Sequence, residues 1–393
     1  MTLFRKCGAF TIAREVQAAG YYPYFAPIEA SYDTEVVIHG ERKVMVGSNN
    51  YLGLTHHPQV LAAAEAALHR FGSGCTGSRF LNGTLDLHEQ LEDRLARFLG
   101  KESAVVFSTG FQTNLGVLSA LVGRDDHLYS DKLNHASIVD GARLSSGTVH
   151  RYGHRDLSQL ERELALTPAD AGKLIVTDGI FSMEGTIVDL PGVLDVAVRH
   201  GAEVMVDDAH ALGVLGERGG GTAQYWGVEE RTPLIMVTFS KSLASIGGAV
   251  AGPEDVIHFL KHHARSLIFS ASNPPASVAA VLAALDIIER EPERRTALWR
   301  NTRRMQEGLR SLGYDIGASE TPIIPVHVGE LEQMLVFWRT MFDAGVFTNP
   351  VTPPAVPEHS CRLRISLMAT HTDDQIDFVL DAFAAAGKAM ALT

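Results

Sequence analysis

The sequence is poor in the features that mark secreted, membrane-spanning and nucleic-acid-binding proteins. Only three cysteines occur in 393 residues, Cys7, Cys75 and Cys361, and none forms a CxxC pair, which fits a reduced compartment better than a disulfide framework. No apolar run approaches the roughly eighteen residues of a membrane-spanning helix, and no basic-then-apolar signal pattern opens the chain. A formal net charge of −12 disfavours a nucleic-acid groove. We therefore expect a soluble cytoplasmic protein without a transmembrane segment.

What the sequence has instead is the composition of a globular enzyme. Hydrophobic residues make up 46% and charged residues 20% of the chain, both ordinary values. Because 393 residues are many for one core, a large domain plus a smaller one is expected. We predict an N-terminal arm with a small hairpin over residues 1–46, a large cofactor-binding domain over 47–287, and a small C-terminal α+β domain over 288–393.

Helices and short apolar strands alternate through the predicted large domain. Amphipathic patterns predict helices over residues 58–71 and 85–99. Apolar runs predict strands, which fall at residues 103–107, 128–130, 173–177, 203–206, 234–238 and 248–251. This alternation is typical of an α/β domain with a largely parallel sheet covered by helices, in which ligands bind beyond the carboxyl ends of the strands.

The most informative residue is Lys241, because it follows the predicted strand 234–238 among hydroxyl side chains. Thr238 and Ser240 precede it, and a second predicted strand ends at Asp207. A lysine amine forms a Schiff base with the aldehyde of pyridoxal 5′-phosphate (PLP), and a carboxylate keeps the pyridine nitrogen protonated so that the ring accepts electrons. Lys241 and Asp207 therefore predict a PLP site, with Thr238 and Ser240 as neighbouring cofactor contacts.

Residues 108–114 form a predicted phosphate site. They follow a strand, contain Gly110 and Phe111, and open a helix. The first amides of a helix are available to a phosphate. Taken alone, the segment is better interpreted as an ordinary strand-to-helix turn, so the phosphate interpretation depends on Lys241 and Asp207.

Three further polar residues follow predicted strands. His135 could stack on the pyridine ring and donate a hydrogen bond to a substrate carboxylate. His210, three residues after Asp207, could reach the phenolic oxygen of the cofactor, and Ser182 is another possible polar neighbour. A lone histidine is more often structural than catalytic. His135 and His210 are therefore predicted as site residues only because Lys241 and Asp207 are also present.

An arginine in the predicted small domain is a candidate for substrate binding. Arg364 lies in a predicted strand and is suited to a bidentate grip on an α-carboxylate. A structural salt bridge is the competing interpretation. Because side chains alternate along a strand, Arg362 shares its face, and spacing alone does not choose between the two.

Two other patterns do not predict sites. Residues 72–77 match GxGxxG, yet they follow a helix, whereas the dinucleotide fingerprint must follow a strand. The pairs His56–His57 and His262–His263 have no acidic or cysteine ligands close by in the sequence, so no metal site is predicted.

Taken together, the chain resembles the α-oxoamine synthases, PLP enzymes of aminotransferase fold type I that join an amino acid to an acyl thioester. Six blocks carry the resemblance, and the segments are SNNYLGL from residue 48, GSGCTGSRFLNGT from 72, FSTGFQTN from 107, NHASI from 134, DDAH from 207 and TFSK from 238. Within the family, TFSKS at 238–242, FSASNPP at 269–275 and PPAVP at 353–357 are most similar to the bacterial serine-using branch. A short N-terminal arm and Asn49, where that branch carries tyrosine, leave the amino acid and the acyl chain open.

The resemblance implies both an architecture and a reaction. The architecture is a fold type I large domain with a mostly parallel seven-stranded sheet, in a homodimer with active sites at the subunit interface. The partner subunit's segment 270–272 would contact the phosphate through Ser270 and Ser272, and Asn49 or Asn50 would help to hold the substrate carboxylate. The reaction is a decarboxylative condensation of an amino acid, serine favoured, with a long-chain acyl thioester to give a 2-amino ketone, carbon dioxide and free thiol.

Other functions remain open on the same residues. Glycine or alanine could replace serine, and acyl carrier protein could replace coenzyme A as the thiol. Simple transamination needs no thioester, and a non-catalytic partner subunit is a third alternative. The presence of Lys241, Asp207 and His135 disfavours the last one.

Overall fold

The computed structural model describes residues 2–353, 355–357 and 359–390. The described chain divides into two compact units, one formed by residues 49–298 and one that combines residues up to 48 with those from 299 onward. The structure thus groups the N-terminal arm with the C-terminal segment. The predicted three-part division, with boundaries after residues 46 and 287, stays a prediction. Pro354, within the PPAVP segment, lies outside the described residues.

The strands, numbered in chain order, are β1 Ala30–Tyr32, β2 Glu35–Ile38, β3 Glu41–Met45, β4 Ser103–Phe107, β5 His127–Asp131, β6 Thr148–Tyr152, β7 Lys173–Asp178, β8 Glu203–Asp207, β9 Leu234–Thr238, β10 Gly248–Gly252, β11 Ile323–Gly329, β12 Val346–Phe347, β13 Asn349–Val351 and β14 Cys361–Ser366.

The helices are α1 Arg5–Gly8, α2 Ile12–Ala18, α3 Pro58–Phe71, α4 Asp86–Phe98, α5 Gly110–Leu121, α6 Ala136–Leu144, α7 Leu157–Ala165, α8 Leu190–His200, α9 Thr222–Trp226, α10 Glu254–His263, α11 Arg265–Ile268, α12 Pro275–Arg290, α13 Glu293–Ser311, α14 Leu331–Asp343 and α15 Asp373–Met390, with a 3₁₀ turn at Glu229–Arg231. Within the described ranges, no helix combines the length and apolar character needed to cross a bilayer.

The unit of residues 49–298 is built on a seven-stranded sheet in the order β4-β10-β9-β8-β7-β5-β6. Strand β10 runs antiparallel to both neighbours, and the pairs from β9 to β6 are all parallel. Every residue of β7 and β9 is buried, as expected for central strands covered on both faces. The prediction of a mostly parallel α/β sheet is confirmed.

Strand β6 extends the sheet beyond the six strands predicted from the sequence. It pairs with β5 at the sheet edge, and four of its five residues are at least partly exposed. Because an edge strand covers less of the core, its sequence, Thr-Val-His-Arg-Tyr, lacks the apolar run that identifies the central strands.

The other unit contains two small sheets. One has the order β1-β2-β3-β12 and the other β11-β14-β13. The predicted hairpin is formed by β2 and β3, whose two-residue loop His39–Gly40 has positive φ angles of 55° and 74°, the geometry that matches the twist of paired strands. Strand β14 is central in its sheet and fully buried, including Arg362 and Arg364.

Candidate active site

A cavity of about 360 Å³ lies in the unit of residues 49–298. This volume is at the lower end of the range typical of small-molecule sites. The structure brings together nine of the residues predicted from the sequence, and these lining residues are Gly110, Phe111, His135, Ser182, Asp207, His210, Thr238, Ser240 and Lys241.

The sheet topology explains this convergence. Asp178, Asp207 and Thr238 are the last residues of the adjacent parallel strands β7, β8 and β9. Neighbouring parallel strands end at the same edge of a sheet, so their terminal side chains meet there. Lys241 follows β9 by three residues and lies in the same cavity wall.

The first turn of α5 forms one side of the cavity. Thr109 caps the helix, with its hydroxyl oxygen accepting a hydrogen bond from the Gln112 amide at 3.1 Å. A Cβ atom on Gly110 would lie 2.6 Å from Oγ1 of Thr238, so only glycine fits without a shift of the neighbouring strand. The helix therefore starts close against the end of β9, with first-turn amides that have no intrahelical acceptor.

Hydroxyl groups beside Lys241 are held by the same strand end. The hydroxyl oxygens of Thr238 and Ser240 lie 3.0 Å apart, and the Thr238 hydroxyl donates to the Gly247 carbonyl at 3.1 Å. The single Thr238 proton is thereby used, so Ser240 donates to Thr238.

The buried carboxylate of Asp207 receives two N–H donors. Asn114 Nδ2 lies 2.7 Å from Oδ2, and the Ala209 amide lies 3.0 Å from Oδ1. Asp207 is only 3% exposed, so these charge-assisted hydrogen bonds fix its orientation in the cavity wall.

A second carboxyl, Asp178, lies in the same wall. Its Oδ2 accepts a hydrogen bond from the His135 backbone amide at 2.9 Å. Burial, followed by the negative charge of Asp207, raises the pKa of Asp178 well above its usual value. Both causes make the ionised form of Asp178 less stable in this cavity wall than it is in water.

The ring of His135 is positioned by the start of α6. Its Nδ1 accepts a hydrogen bond from the Ser137 amide at 3.2 Å and lies 2.7 Å from the Ser137 hydroxyl. Burial lowers the pKa of His135, the charge of Asp207 opposes that shift, and the charge of Lys241 adds to it. The neutral imidazole is therefore favoured.

His210 is held by Tyr51, and the two predicted asparagines differ in their contacts. The Tyr51 hydroxyl lies 2.7 Å from Nδ1 of His210 and 3.4 Å from Oδ1 of Asn49. The amide of Asn50 instead bonds its own turn, accepting from the Leu54 amide at 3.0 Å and donating to the Thr55 hydroxyl. The structure thus links Asn49 to a cavity residue through Tyr51.

Ser270 and Ser272 lie outside the lining of this cavity, and Ser270 contacts the first turn of α5. Gln112 Nε2 donates to the Ser270 hydroxyl oxygen at 3.0 Å, and the Ser272 hydroxyl donates to the Gly77 carbonyl at 3.1 Å. Their predicted contact with a phosphate in the partner subunit stays a prediction.

Arg362 and Arg364 belong to the other unit. Both are buried in β14, where Arg362 Nε donates to the Ser360 carbonyl at 3.2 Å. The predicted carboxylate grip of Arg364 stays a prediction, as does the choice between the two arginines.

Four residues gained no role from the sequence alone, and these are Tyr51, Asn114, Ser137 and Asp178. The first three fall inside the blocks that resemble the family, and Asp178 follows a predicted strand. Their positions in these blocks, or directly after a strand, could have marked them as candidate site residues. Their hydrogen bonds join residues far apart in the chain and cannot be predicted from spacing.

Known proteins resemble the chain over nearly its whole length. Residues 41–383 match the family model of aminotransferase class I and II. Serine palmitoyltransferase from Sphingobacterium spiritivorum is 52% identical over 95% of this chain and 94% of its own length. The 8-amino-7-oxononanoate synthase of Geotalea daltonii is 41% identical over 96% of this chain and 97% of its own. A solved serine palmitoyltransferase variant from S. paucimobilis, with a bound PLP–myriocin aldimine, has a TM-score of 0.97 and 35% identity, with 100% of both chains covered.

Proposed function

The chain belongs to the α-oxoamine synthases of the aminotransferase class I and II family, and we propose that it condenses serine with a long-chain acyl thioester in a PLP-dependent reaction. The products are a 2-amino ketone, carbon dioxide and free thiol. The observation that carries the proposal is the convergence of Lys241, Asp207 and His135 on one cavity at the carboxyl edge of a parallel sheet. The similarity to serine palmitoyltransferase supports serine as the amino acid.

The donor set of the cavity fits PLP. Lys241 offers an amine to the aldehyde, Asp207 a carboxylate to the ring nitrogen, and His210 a ring nitrogen to the phenolic oxygen. The first turn of α5, close against β9 at Gly110, offers amides to the phosphate. The hydroxyls of Thr238 and Ser240 line the same cavity, and each would turn from its present acceptor, Gly247 for Thr238 and Thr238 for Ser240, to donate to a phosphate. When bound, PLP supplies an electron-accepting ring for carbanion chemistry at the amino acid Cα.

Asp207 holds a proton at the pyridine nitrogen. Its two N–H donors, from Asn114 and Ala209, fix the carboxylate in one orientation. Asp178, the second carboxyl of the cavity wall, has a pKa raised by burial and then by the charge of Asp207.

Lys241 moves the proton at Cα. In the proposed sequence its Nζ removes the Cα proton of serine, and the Cα electron pair forms a bond to the acyl carbonyl carbon. The carbon–sulfur bond of the thioester breaks, and the sulfur leaves as a thiolate that takes a proton from solvent. The carboxylate carbon then departs as carbon dioxide, and Lys241 returns a proton to Cα.

His135 and Asn49 place the serine carboxylate. Because Nδ1 of His135 already accepts a hydrogen bond from the Ser137 amide, its other nitrogen is the one available to the substrate. Asn49 is positioned through Tyr51 on the same side as His210. We assign Asn49 in preference to Asn50, whose amide bonds its own turn.

The test is a substrate matrix. Serine, alanine and glycine are combined with octanoyl-, lauroyl- and palmitoyl-CoA, and the ketone is identified by mass spectrometry. We expect serine with palmitoyl-CoA to give the highest kcat/KM, with one carbon dioxide per thiol released. A product that retains the carboxylate contradicts the reaction.

Condensation of alanine in place of serine is the second candidate, supported by the similarity to 8-amino-7-oxononanoate synthase. The same matrix separates the two, because turnover with alanine and a short acyl thioester alone would establish the alternative. Delivery by acyl carrier protein is tested with the same acyl chains on that carrier.

We further propose a cytoplasmic homodimer with active sites at its interface. Leu81 and Phe269 are 79% and 74% exposed, in segments joined by the bridge between Ser78 and Ala271. Large apolar side chains exposed close together in this way are typical of an interface. No disulfide joins any of the three cysteines, all of which lie in the described part of the chain, and this suits a reducing compartment. Light scattering on the purified protein tests the dimer, and a monomeric mass contradicts it.

A further inference from the structure

Asn114 joins two parts of the candidate site that the chain places far apart. It is fully buried in α5, and its Nδ2 lies 2.7 Å from Oδ2 of Asp207 and 2.8 Å from Oγ of Ser137. The two hydrogens of the amide group thus have one acceptor each. The reverse orientation of the amide would bring its oxygen against the Asp207 carboxylate, so the carboxylate fixes which way Asn114 points.

The direction of the next hydrogen bond follows from this. Because Oγ of Ser137 accepts from Asn114, the single hydroxyl proton of Ser137 is left to donate to Nδ1 of His135 at 2.7 Å. The Ser137 amide donates to the same nitrogen at 3.2 Å. Two donors at Nδ1 require a lone pair there, so the proton of the neutral ring is on Nε2.

We propose that Asn114 and Ser137 are positioning residues that make the Asp207 carboxylate set the tautomer of His135. The relay runs from the carboxylate, through the amide and the hydroxyl, to the imidazole. The role of this relay is to keep an Nε2–H donor available to the substrate carboxylate, and that role rests on the proposed function. With the other tautomer, Nε2 would be an acceptor and would repel that carboxylate.

The charge state of His135 makes the tautomer important. Burial lowers the pKa of His135, so the neutral ring is favoured near neutral pH. A neutral imidazole donates from only one nitrogen, whereas an imidazolium donates from both. In the neutral ring, the hydrogen bonds at Nδ1 therefore decide whether Nε2 can donate.

The primary test observes the ring directly by nitrogen NMR of ¹⁵N-histidine-labelled, cofactor-loaded protein, with His135→Gln identifying the signals. We expect the wild type to carry its proton on Nε2. One hydrogen bond contributes about 0.5–1.5 kcal/mol, so Ser137→Ala should lower the Nε2–H to Nδ1–H ratio by roughly 2- to 10-fold. Ser137→Thr, which keeps the hydroxyl, should restore the ratio. Ser119→Ala is the matched control, because the Ser119 hydroxyl donates to the Leu115 carbonyl within the helix that carries Asn114.

Asn114→Leu provides a second variant of similar shape. It should change the tautomer ratio in the same direction as Ser137→Ala, and Ser137→Ala should add little in the Asn114→Leu background, because both break one relay. An unchanged ratio in both single variants overturns the inference.

Kinetics separate this inference from the proposed function. Ser137→Ala should raise KM for serine by roughly 2- to 10-fold and leave KM for the acyl thioester unchanged. A wild type that forms no amino ketone overturns the proposed function, while the NMR comparison still decides whether the relay sets the tautomer.

Discussion

The hydroxyl of Tyr51 lies 2.7 Å from Nδ1 of His210, and both side chains are buried. Tyr51 belongs to the turn before α3, whereas His210 follows β8. The contact therefore joins the start of the 49–298 unit to the carboxyl ends of the strands of its sheet. It also determines how the imidazole of His210 is presented to the cavity. Neither residue suggests this contact in the sequence, where they are far apart.

Tyr51→Phe should therefore weaken cofactor binding while the fold is retained. The substitution keeps the ring and removes one buried hydrogen bond, so we expect the Kd for PLP to rise by roughly 2- to 10-fold. Titration of cofactor-free protein, followed by absorbance, measures this change. Tyr32→Phe, on the exposed strand β1, is the control. An unaltered Kd in Tyr51→Phe would show that the contact serves stability alone.

Lys241→Ala should abolish both turnover and the visible absorbance of lysine-bound PLP. The expected reason is loss of the amine that binds the aldehyde and moves the Cα proton. Lys132→Ala, which removes an exposed lysine after β5, should keep both properties. A variant of Lys241 with an unchanged spectrum would assign the covalent link to another residue.

Asp207→Asn should retain the cofactor and lose most activity. The amide is nearly isosteric with the carboxylate but does not hold a proton on the ring nitrogen, and contributions of this kind are on the order of 10²–10⁴-fold in rate. Cofactor content and kcat are measured on the same preparation. Near-normal kcat with full occupancy would mean that a different acid protonates the ring.

Acid should destabilise the protein through His371. This residue is buried, its Nδ1 accepts from the Met368 amide at 3.0 Å, and its Nε2 donates to the Met45 carbonyl at 3.1 Å. Burial lowers its pKa to about 4 from the usual 6.5. The unfolded chain therefore binds a proton in this interval while the folded chain does not, so stability falls as the pH decreases from 6.5 towards 4.

The size of this effect at pH 5 is about 2 kcal/mol, because one pKa unit corresponds to about 1.36 kcal/mol. Chemical unfolding at pH 7 and pH 5 measures it in the wild type and in His371→Asn. We expect the variant to be less stable at pH 7 and to lose less stability on acidification. Equal losses in both proteins would assign the acid sensitivity to other groups.

The sequence predicted the framework of the site because the central strands carry strong local signals. Strands β4 and β9 have the predicted bounds, since both are short, mainly apolar runs that are buried apart from the half-buried Ser103 at the start of β4. Helix α3 also begins and ends as predicted, with proline at its first position and Gly72 after its last. These boundaries are determined by residues that are neighbours in the chain, so the sequence alone predicts them.

Edge strand β6 and the hydrogen bonds of Asn114 could not be predicted from local sequence patterns. The residues of β6 are mostly exposed and show no apolar run. The bonds of Asn114 join α5 to β8 and α6, and only the packed fold brings these elements together. The hydrogen bond from the Tyr51 hydroxyl to Oδ1 of Asn49 likewise cannot be predicted from their spacing in the sequence.

The order in which the chain emerges from the ribosome matters for the unit that combines its two ends. Strand β3 near the N-terminus pairs in parallel with β12, Val44 opposite Val346, so one of its edges lacks a partner until almost all of the protein has been synthesised. The intervening residues 49–298 are continuous in sequence and can complete their own sheet first. During that interval β3 is an unpaired strand edge of the kind that other chains pair with. Translation speed and chaperone supply should therefore affect the yield of this protein more through its first fifty residues than through the unit of residues 49–298.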